Sequence, residues 1–259
     1  NPAQMQLDFG PLWTRKNIRE MIRREFGVKM SEVQVGRVLR DLGLTPQKPL
    51  WRSYKQNPEL VREWKKTVYP KLRARAAAEG AEIFFGDEAS VRTDHHSGTT
   101  WAAAGQTPVV RDSGKRHAVK MISAISPQGL LRFQVHEGSM NGDRFIKFLK
   151  ALIASVEAAK IFLIVDGSSI HKSKKVRGFL AEEEIKTSLE LFILPAYSPE
   201  LNPDEWVWNN VKNGRLGRQV TADRDDLMSK AVGALRRLQK LPQLVRSFFR
   251  APDLAYIGC

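Results

Sequence analysis

The chain has 259 residues, with 42 Lys and Arg against 28 Asp and Glu, and its formal net charge is +14 at pH 7. This length allows a sizeable core and favours two structural units, and the single cysteine, Cys259, excludes an intrachain disulfide framework and a cysteine zinc site. Apolar runs stay below the roughly 18 residues that span a bilayer, and no secretory signal opens the chain. We therefore expect a cytoplasmic protein whose partner is nucleic acid, not a membrane.

The N-terminal segment carries most of the excess charge. Its first 80 residues contain 17 Lys and Arg but 8 Asp and Glu, a net of +9. Two helices are predicted here, Thr14–Phe26, ended by Gly27, and Ser31–Leu42, opened by a capping box. The buried stripe of the second helix is predicted to be Val35, Val38, Leu39 and Leu42. Two short helices joined by a tight turn indicate a helix-turn-helix.

DNA contacts are expected along this module. Ser31, Gln34 and Arg37 avoid the apolar stripe and are predicted to face a major groove. The predicted phosphate contacts are Arg15, Lys16, Lys29, Lys48, Arg52 and Lys55. The alternative for each is a solvated, charged helix face. Residues 44–56 are expected to form a wing or linker along DNA, and we expect a further segment upstream. The preceding helix that completes a helix-turn-helix core is expected either in residues 1–9, as a remnant, or in that upstream segment.

An α/β pattern follows a long basic helix at 57–80. Strands are predicted at 81–86, 109–111, 118–125, 130–136, 161–165 and 189–194. Helices are predicted at 142–156, 174–184, 203–213 and 224–239, with a shorter one at 244–249. We therefore predict three regions: a helix-turn-helix module at 1–56, a linker helix at 57–80 and an α/β domain at 81–259.

Three acidic residues stand at structurally fixed positions. Asp87 and Asp166 each follow a predicted strand, and Glu205 lies in the first turn of a helix that Asn202 can cap and Pro203 can open. If the two strands are parallel neighbours, both aspartates lie at one edge of the sheet, where open α/β sheets bind ligands. The spacing of 39 positions from Asp166 to Glu205 leaves room for one helix and one strand, which would return Glu205 to that edge.

Converging carboxylates repel one another unless a cation neutralises them, and oxygen ligands suit Mg²⁺ or Mn²⁺. We predict two ions, with Asp87 bridging both and with Asp166 and Glu205 each completing one. Such a pair activates a water or a 3′-hydroxyl and stabilises the leaving oxygen of an in-line displacement.

Each acid also has a structural alternative. An Asp after a strand often caps a turn, and Glu205 has the spacing of a capping-box partner of Asn202. The adjacent acids Glu88, Glu200 and Asp204 leave open which carboxylate acts.

Three segments resemble one family: FFGDEASVR, LIVDGSSIHKSKKV and LPAYSPELNPDEWVWNNVK are similar to motifs of the DDE transposases of the mariner superfamily, in the branch of bacterial insertion sequences. The likeness extends to GTTWAAAGQTPVV and back through LWTRKNIREMIRREFGV to QKPLWRSY. It implies an RNase H-like mixed sheet flanked by helices behind a winged helix-turn-helix module, with Asp87, Asp166 and Glu205 as the catalytic acids. It also implies a homodimer on DNA that cuts both transposon ends and joins 3′ ends to a TA target. Gly167 stands where many relatives have Asn, which is interpreted as a trait of a subgroup. Members of the family usually have two helix-turn-helix units before the catalytic domain, and the unit predicted here resembles the second.

Two further residues have candidate roles beside the acids. His171, in the second motif, is predicted to contact a phosphate or orient the site, or else to make a structural hydrogen bond. Trp101 is a candidate for stacking on a distorted or flipped base, whereas Trp206 and Trp208 are predicted to anchor their helix in the core. The rival functions are a hydrolytic nuclease on the same fold and a non-catalytic DNA-binding protein derived from a transposase.

Overall fold

The computed structural model describes residues 12–47, 52–110 and 116–258. The chain divides into two compact units, Asn1–Trp51 and Arg52–Cys259. The segment 1–9 and the candidate Lys48 lie outside the described residues.

The first unit contains the two predicted helices, α1 (Arg15–Phe26) and α2 (Glu32–Asp41). The hydroxyl of Thr14 accepts a hydrogen bond from the backbone N–H of Asn17, and Gly27 ends α1 in the left-handed conformation. The predicted capping box of α2 is confirmed. The predicted buried stripe is only partly correct: Val35 is buried and Leu39 half-buried, but Val38 and Leu42 are exposed.

A long helical segment opens the second unit. It consists of α3 (Pro58–Glu63), a π-helical turn (Trp64–Val68) and α4 (Tyr69–Glu79). The π-helical turn leads directly into Pro70, which has no N–H to continue the α-helical hydrogen-bond pattern. Trp64, Tyr69 and Leu72 are buried in the core of this unit. The helix predicted as a linker therefore packs into the second unit over much of its length.

A five-stranded mixed sheet forms the centre of the second unit. Its strands are β1 (Ala81–Arg92), β2 (Ala118–Ile125), β3 (Leu131–Glu137), β4 (Lys160–Val165) and β5 (Leu189–Ile193). Their spatial order is β3-β2-β1-β4-β5, with β1, β4 and β5 parallel and β2 antiparallel to both β1 and β3. The central β4 is buried on both sides, as its continuous apolar sequence predicts.

Helices cover both faces of this sheet. The remaining helices are α5 (Gly142–Ala154), α6 (Lys174–Leu180), α7 (Glu183–Ser188), α8 (Glu205–Trp208), α9 (Arg224–Gln239) and α10 (Pro242–Phe248). Alternate residues of β1 enter two separate cores: Ile83 and Phe85 pack with α4, α9 and α10, whereas Phe84 packs with α5 and α6. None of the helices at 12–47, 52–110 or 116–258 is long and apolar enough to cross a membrane.

Several predicted elements differ from the structure. The strand predicted at 81–86 continues to Arg92, because β2 pairs with its second half from Phe85 onward. Val109 and Val110 are exposed and form no strand, and Arg111 lies outside the described residues. The helix predicted at 174–184 is divided into α6 and α7.

Candidate active site

The structure brings the three predicted acids to one cleft. Asp87, Asp166 and Glu205 line a cavity of about 390 Å³ together with the loop that follows β5. In the parallel pairing of β1 with β4, Phe85 lies opposite Ile164, so continuing the register by two residues places Asp87 beside Asp166. Asp87 is thus inside a strand rather than after one, but it lies just beyond the point where β4 ends.

Asn202 fixes the approach of the third acid. Its side-chain amide donates to the carbonyl of Gly86 at 3.0 Å, and its side-chain oxygen accepts from the N–H of Asp204 at 3.1 Å. The N–H of Asn202 donates to the carbonyl of Pro199 at 2.9 Å, so it is not the partner of Glu205 that a capping box requires. The helix α8 begins at Glu205, two residues later than predicted.

Burial and mutual repulsion raise the pKa of two acids of the cleft. Burial and then the charge of Glu205 raise the pKa of the half-buried Asp87 to about 8, and Asp166 adds to this effect. Desolvation by the surrounding protein also raises the pKa of Glu205. The charge of Lys212 lowers this pKa, whereas the charge of Asp166 raises it further. Such mutual repulsion is what a bound divalent cation would remove.

Trp208 holds the carboxylate of Asp87. Its indole nitrogen Nε1 donates to Oδ2 of Asp87 at 2.9 Å, while its ring is buried in the core. Trp206 is 42% exposed, so the prediction that both tryptophans anchor the helix in the core is wrong for this residue. The sequence had placed Trp208 in the core without indicating the hydrogen bond.

Two competing acids, Asp204 and Glu200, are not among the residues that line the cleft. Asp204 is fully buried and accepts hydrogen bonds from the hydroxyl of Ser123 at 2.9 and 2.7 Å. Burial, followed by the charge of Asp87, raises the pKa of Asp204 well above its usual range. Glu200 accepts a hydrogen bond from the side chain of Gln56 at 2.6 Å.

Glu88 faces the opposite side of the sheet, where it meets the buried His171. Atom Nε2 of the imidazole lies 2.8 Å from Oε1 of Glu88, and Nδ1 lies 3.0 Å from the carbonyl oxygen of Asp166 and 3.1 Å from its Oδ1. Burial by itself would lower the pKa of His171, but the hydrogen bonds with Asp166 and Glu88 outweigh it and raise the pKa to about 10. The same bond to His171, aided by the N–H of Ser168, lowers the pKa of Asp166.

Glu88, Asp166 and His171 also have ligand atoms within 4.8 Å of one another, a spacing that can hold a metal ion. Both ring nitrogens of His171, however, already make hydrogen bonds to its two acidic neighbours. A ring in this state offers no lone pair to a cation. The donor set at the cleft, which consists of carboxylate oxygens, fits Mg²⁺ or Mn²⁺ better.

The predicted DNA contacts are on exposed surfaces of both units. In the first unit these are Arg15, Lys16, Lys29, Ser31, Gln34 and Arg37. Ser31 and Gln34 also cap α2. In the second unit, the guanidinium of Arg52 lies 3.3 Å from the carboxylate of Asp253, and Lys55 lies beside aromatic rings. The side chain of Trp101 is 99% exposed.

Comparison with known proteins gives two family matches. Residues 82–228 match the family described as DDE superfamily endonuclease, and residues 10–68 match the winged helix-turn helix family. The first match covers more than half of the chain and includes all three acids of the cleft.

Two curated proteins are similar to parts of the chain. One is the insertion element IS630 uncharacterized 39 kDa protein of Shigella sonnei, 30% identical over 49% of this chain and 36% of its own length. The other is the uncharacterized protein y4pE/y4sA of Sinorhizobium fredii (strain NBRC 101917 / NGR234), 29% identical over 35% of this chain and 62% of its own length. The matches thus span less than two thirds of either relative.

Solved structures agree with the fold. The Mos1 mariner paired-end complex with Mn is 17% identical, has a TM-score of 0.64 and matches 99% of this chain and 78% of its own. The Mos1 strand transfer complex is 18% identical, has a TM-score of 0.58 and matches 100% of this chain and 78% of its own. The predicted RNase H-like fold behind a helix-turn-helix is therefore confirmed, and the chain belongs to the DDE superfamily of endonucleases.

Proposed function

We propose that this chain is a DNA transposase that binds the ends of an insertion sequence, cuts them by metal-dependent phosphodiester hydrolysis and joins 3′ ends to a TA target. The observation that carries the proposal is the meeting of Asp87, Asp166 and Glu205 at one cleft. The family match and the mariner-like fold support the same reaction class.

The three carboxylates would hold Mg²⁺ or Mn²⁺, two ions in our proposal, which supply Lewis-acid activation of the attacking oxygen and charge stabilisation of the leaving one. Neighbouring residues fix the orientation of these carboxylates. Trp208 holds Asp87 by one hydrogen bond, and Asn202 ties the start of the third motif to Gly86. His171 and Ser168 hold Asp166.

DNA binding is assigned to the helix-turn-helix and the basic residues beside it. The winged helix-turn-helix match and the excess of positive charge in the first 80 residues support this assignment. We propose the DNA-binding module at 1–56, the linker helix at 57–80 and the catalytic domain at 81–259. Two ends must be held together for transposition, so a homodimer on DNA belongs to the proposal.

An end-cleavage and strand-transfer assay tests the reaction. The protein is mixed with DNA carrying the ends of its element and a TA-rich plasmid, in Mg²⁺ or in EDTA, beside Asp166→Asn. Asp143→Asn is the matched control, because Asp143 is an exposed acid in the first turn of α5 that pairs with Lys175 of α6 and does not line the cleft.

Three outcomes separate the candidate functions. Metal-dependent joined product that disappears in Asp166→Asn but not in Asp143→Asn establishes the transposase. Cutting without joining favours the hydrolytic nuclease on the same fold. DNA binding with neither activity, unchanged by substitution of any of the three acids, favours the non-catalytic DNA-binding protein.

A further inference from the structure

Tyr197 has an unusual backbone conformation at the rim of the cleft. It lines the same cavity as the three acids, and its φ is 58°, the one positive value for a non-glycine residue in the described parts of the chain. A bulky side chain in this region costs free energy and persists only where the surrounding structure enforces it, which is common at binding sites. The side chain is 54% exposed, so packing in the core does not explain the conformation.

Gln56 enforces this conformation from another part of the unit. Its side-chain nitrogen lies 3.1 Å from the carbonyl oxygen of Tyr197, 3.0 Å from the hydroxyl of Ser198 and 2.6 Å from the carboxylate of Glu200. These contacts hold the backbone of the loop at Tyr197 and the side chains of Ser198 and Glu200. The ring of Tyr197 is left at the surface beside the cleft.

Lys55 places positive charge next to this ring. Its ammonium lies 5.7 Å from the centre of the Tyr197 ring and 5.9 Å from that of Tyr54, whose side chain is 92% exposed. We call Tyr54, Lys55 and Tyr197 the rim cluster. Exposed aromatic rings beside a cation are the combination that binds single-stranded nucleic acid, because bases stack on the rings and phosphates pair with the cation.

We propose that the rim cluster binds an unpaired nucleotide next to the phosphodiester to be cut, with its base on Tyr197 and its phosphate at Lys55. This inference rests on the proposed function. It adds that the DNA bound at the cleft has a strand whose end is unpaired. The sequence predicts a phosphate contact for Lys55 but indicates no role for Tyr197.

A fluorescence experiment without chemistry tests the stacking. A duplex of the element's end, with 2-aminopurine in a short unpaired 3′ extension, is titrated with protein in EDTA. Tyr197→Gly and Tyr197→Asn remove the ring but accept a positive φ, whereas Tyr197→Phe keeps the ring. We expect quenching by the wild type and Tyr197→Phe, and its loss with about tenfold weaker binding in the two ring-deleting variants. Their Tm is expected to be no lower than that of the wild type, because the backbone conformation suits them.

The role of Lys55 is tested by salt dependence. Lys55→Ala is expected to reduce the slope of log Kd against log salt by about one phosphate contact. Lys150→Ala is the matched control, since Lys150 also lies over an aromatic ring, at 5.5 Å from that of Phe179, but on α5. An unchanged slope in Lys55→Ala would overturn the phosphate contact.

Cleavage in Mg²⁺, measured beside the quenching, separates this inference from the proposed function. If the wild type cuts, and both ring-deleting variants quench and cut as it does, the inference is overturned and the proposed function stands. If quenching depends on the ring but the wild type never cuts, the nucleotide contact is supported and the proposed function fails.

Discussion

Asp87 and Glu88 are adjacent carboxylic acids on β1, yet their surroundings are opposite. Asp87 faces the side of Trp208, where Glu205 and Asp166 add negative charge and its pKa rises to about 8. Glu88 faces the side of α5, where the imidazole of His171 lies 2.8 Å from its carboxylate.

The difference shows how one sheet can separate two kinds of carboxylate. The charge of Glu88 is compensated within the protein, so a cation adds little there. Burial and the neighbouring acids raise the pKa of both Asp87 and Glu205, and Lys212 opposes only part of this effect for Glu205. Binding of a divalent cation would therefore relieve the repulsion between the acids. Asp166 belongs to both sides, because it lines the cleft and accepts hydrogen bonds from His171 and Ser168.

The largest expected effect is on the rate of cleavage when an acid of the cleft is replaced. Asp87→Asn and Asp166→Asn are expected to lower the rate of metal-dependent cleavage by on the order of 10²–10³-fold or more, because each removes charge that stabilises the transition state. Single-turnover cleavage in Mg²⁺ measures it. Glu88→Gln keeps the cleft acids intact and is expected to cost less. Equal losses of cleavage rate in Glu88→Gln and Asp87→Asn would show that the two sides of the sheet do not differ in their role in cleavage.

On the compensated side the expected effect is on stability. His171→Leu leaves the carboxylate of Glu88 in a largely buried site without its partner, and breaking a buried pair in this way costs about 3–5 kcal/mol of unfolding free energy. Urea unfolding in EDTA measures it. The double variant Glu88→Leu/His171→Leu is expected to recover part of the loss. A loss below about 1 kcal/mol in His171→Leu alone would show that the pair is not structurally coupled.

The pH dependence of stability is expected to differ between the two sides in EDTA. The pKa of Asp87 is raised from 3.8 to about 8, so its contribution is present at low pH and is lost as the pH rises from about 4 to 8. The pKa of His171 is raised from 6.5 to about 10, so its contribution is complete below about pH 6.5 and is lost as the pH rises through 10.

Tm measured across this pH range tests both signs. In Asp87→Asn, the decrease of Tm between pH 4 and 8 should be smaller than in the wild type, whereas the decrease of Tm above pH 8 should remain. Mg²⁺ added at pH 7.5 should raise the Tm of the wild type more than that of Asp87→Asn. A wild-type protein whose Tm rises steadily from pH 4 to 8 would contradict the raised pKa of Asp87.

The smallest expected effect concerns the hydrogen bond that orients Asp87. Trp208→Phe removes the donor to Oδ2 of Asp87 but keeps a buried ring, and losing such a partner of a metal ligand typically weakens metal affinity about tenfold. Mn²⁺ titration measures it. Trp206→Phe is the matched control, because Trp206 is exposed on the same helix. Equal affinity in the two variants would show that the indole N–H does not position the carboxylate.

Local pattern was enough to predict most of the elements. The caps of α1 and α2 and the limits of β2 and α9 follow from the sequence, because hydrogen-bonding side chains, glycine and apolar periodicity act within a few residues. The extension of β1 to Arg92 does not follow from the local pattern, because it depends on pairing with β2, about 30 residues away. Likewise, the local pattern does not show that Val109 and Val110 are exposed, because this depends on which distant segments pair in the sheet.

The sequence by itself determined which three acids stand at fixed positions and that their chemistry suits a divalent cation. Only the tertiary structure decided which partners the neighbouring acids have. Asp204 is buried against Ser123, Glu200 is held by Gln56, and Glu88 faces His171 on the opposite side of the sheet. The physical reason is that strand alternation assigns each side chain to a face, whereas its charge state depends on partners supplied by distant segments. The positive φ of Tyr197 and its position at the rim of the cleft have the same origin.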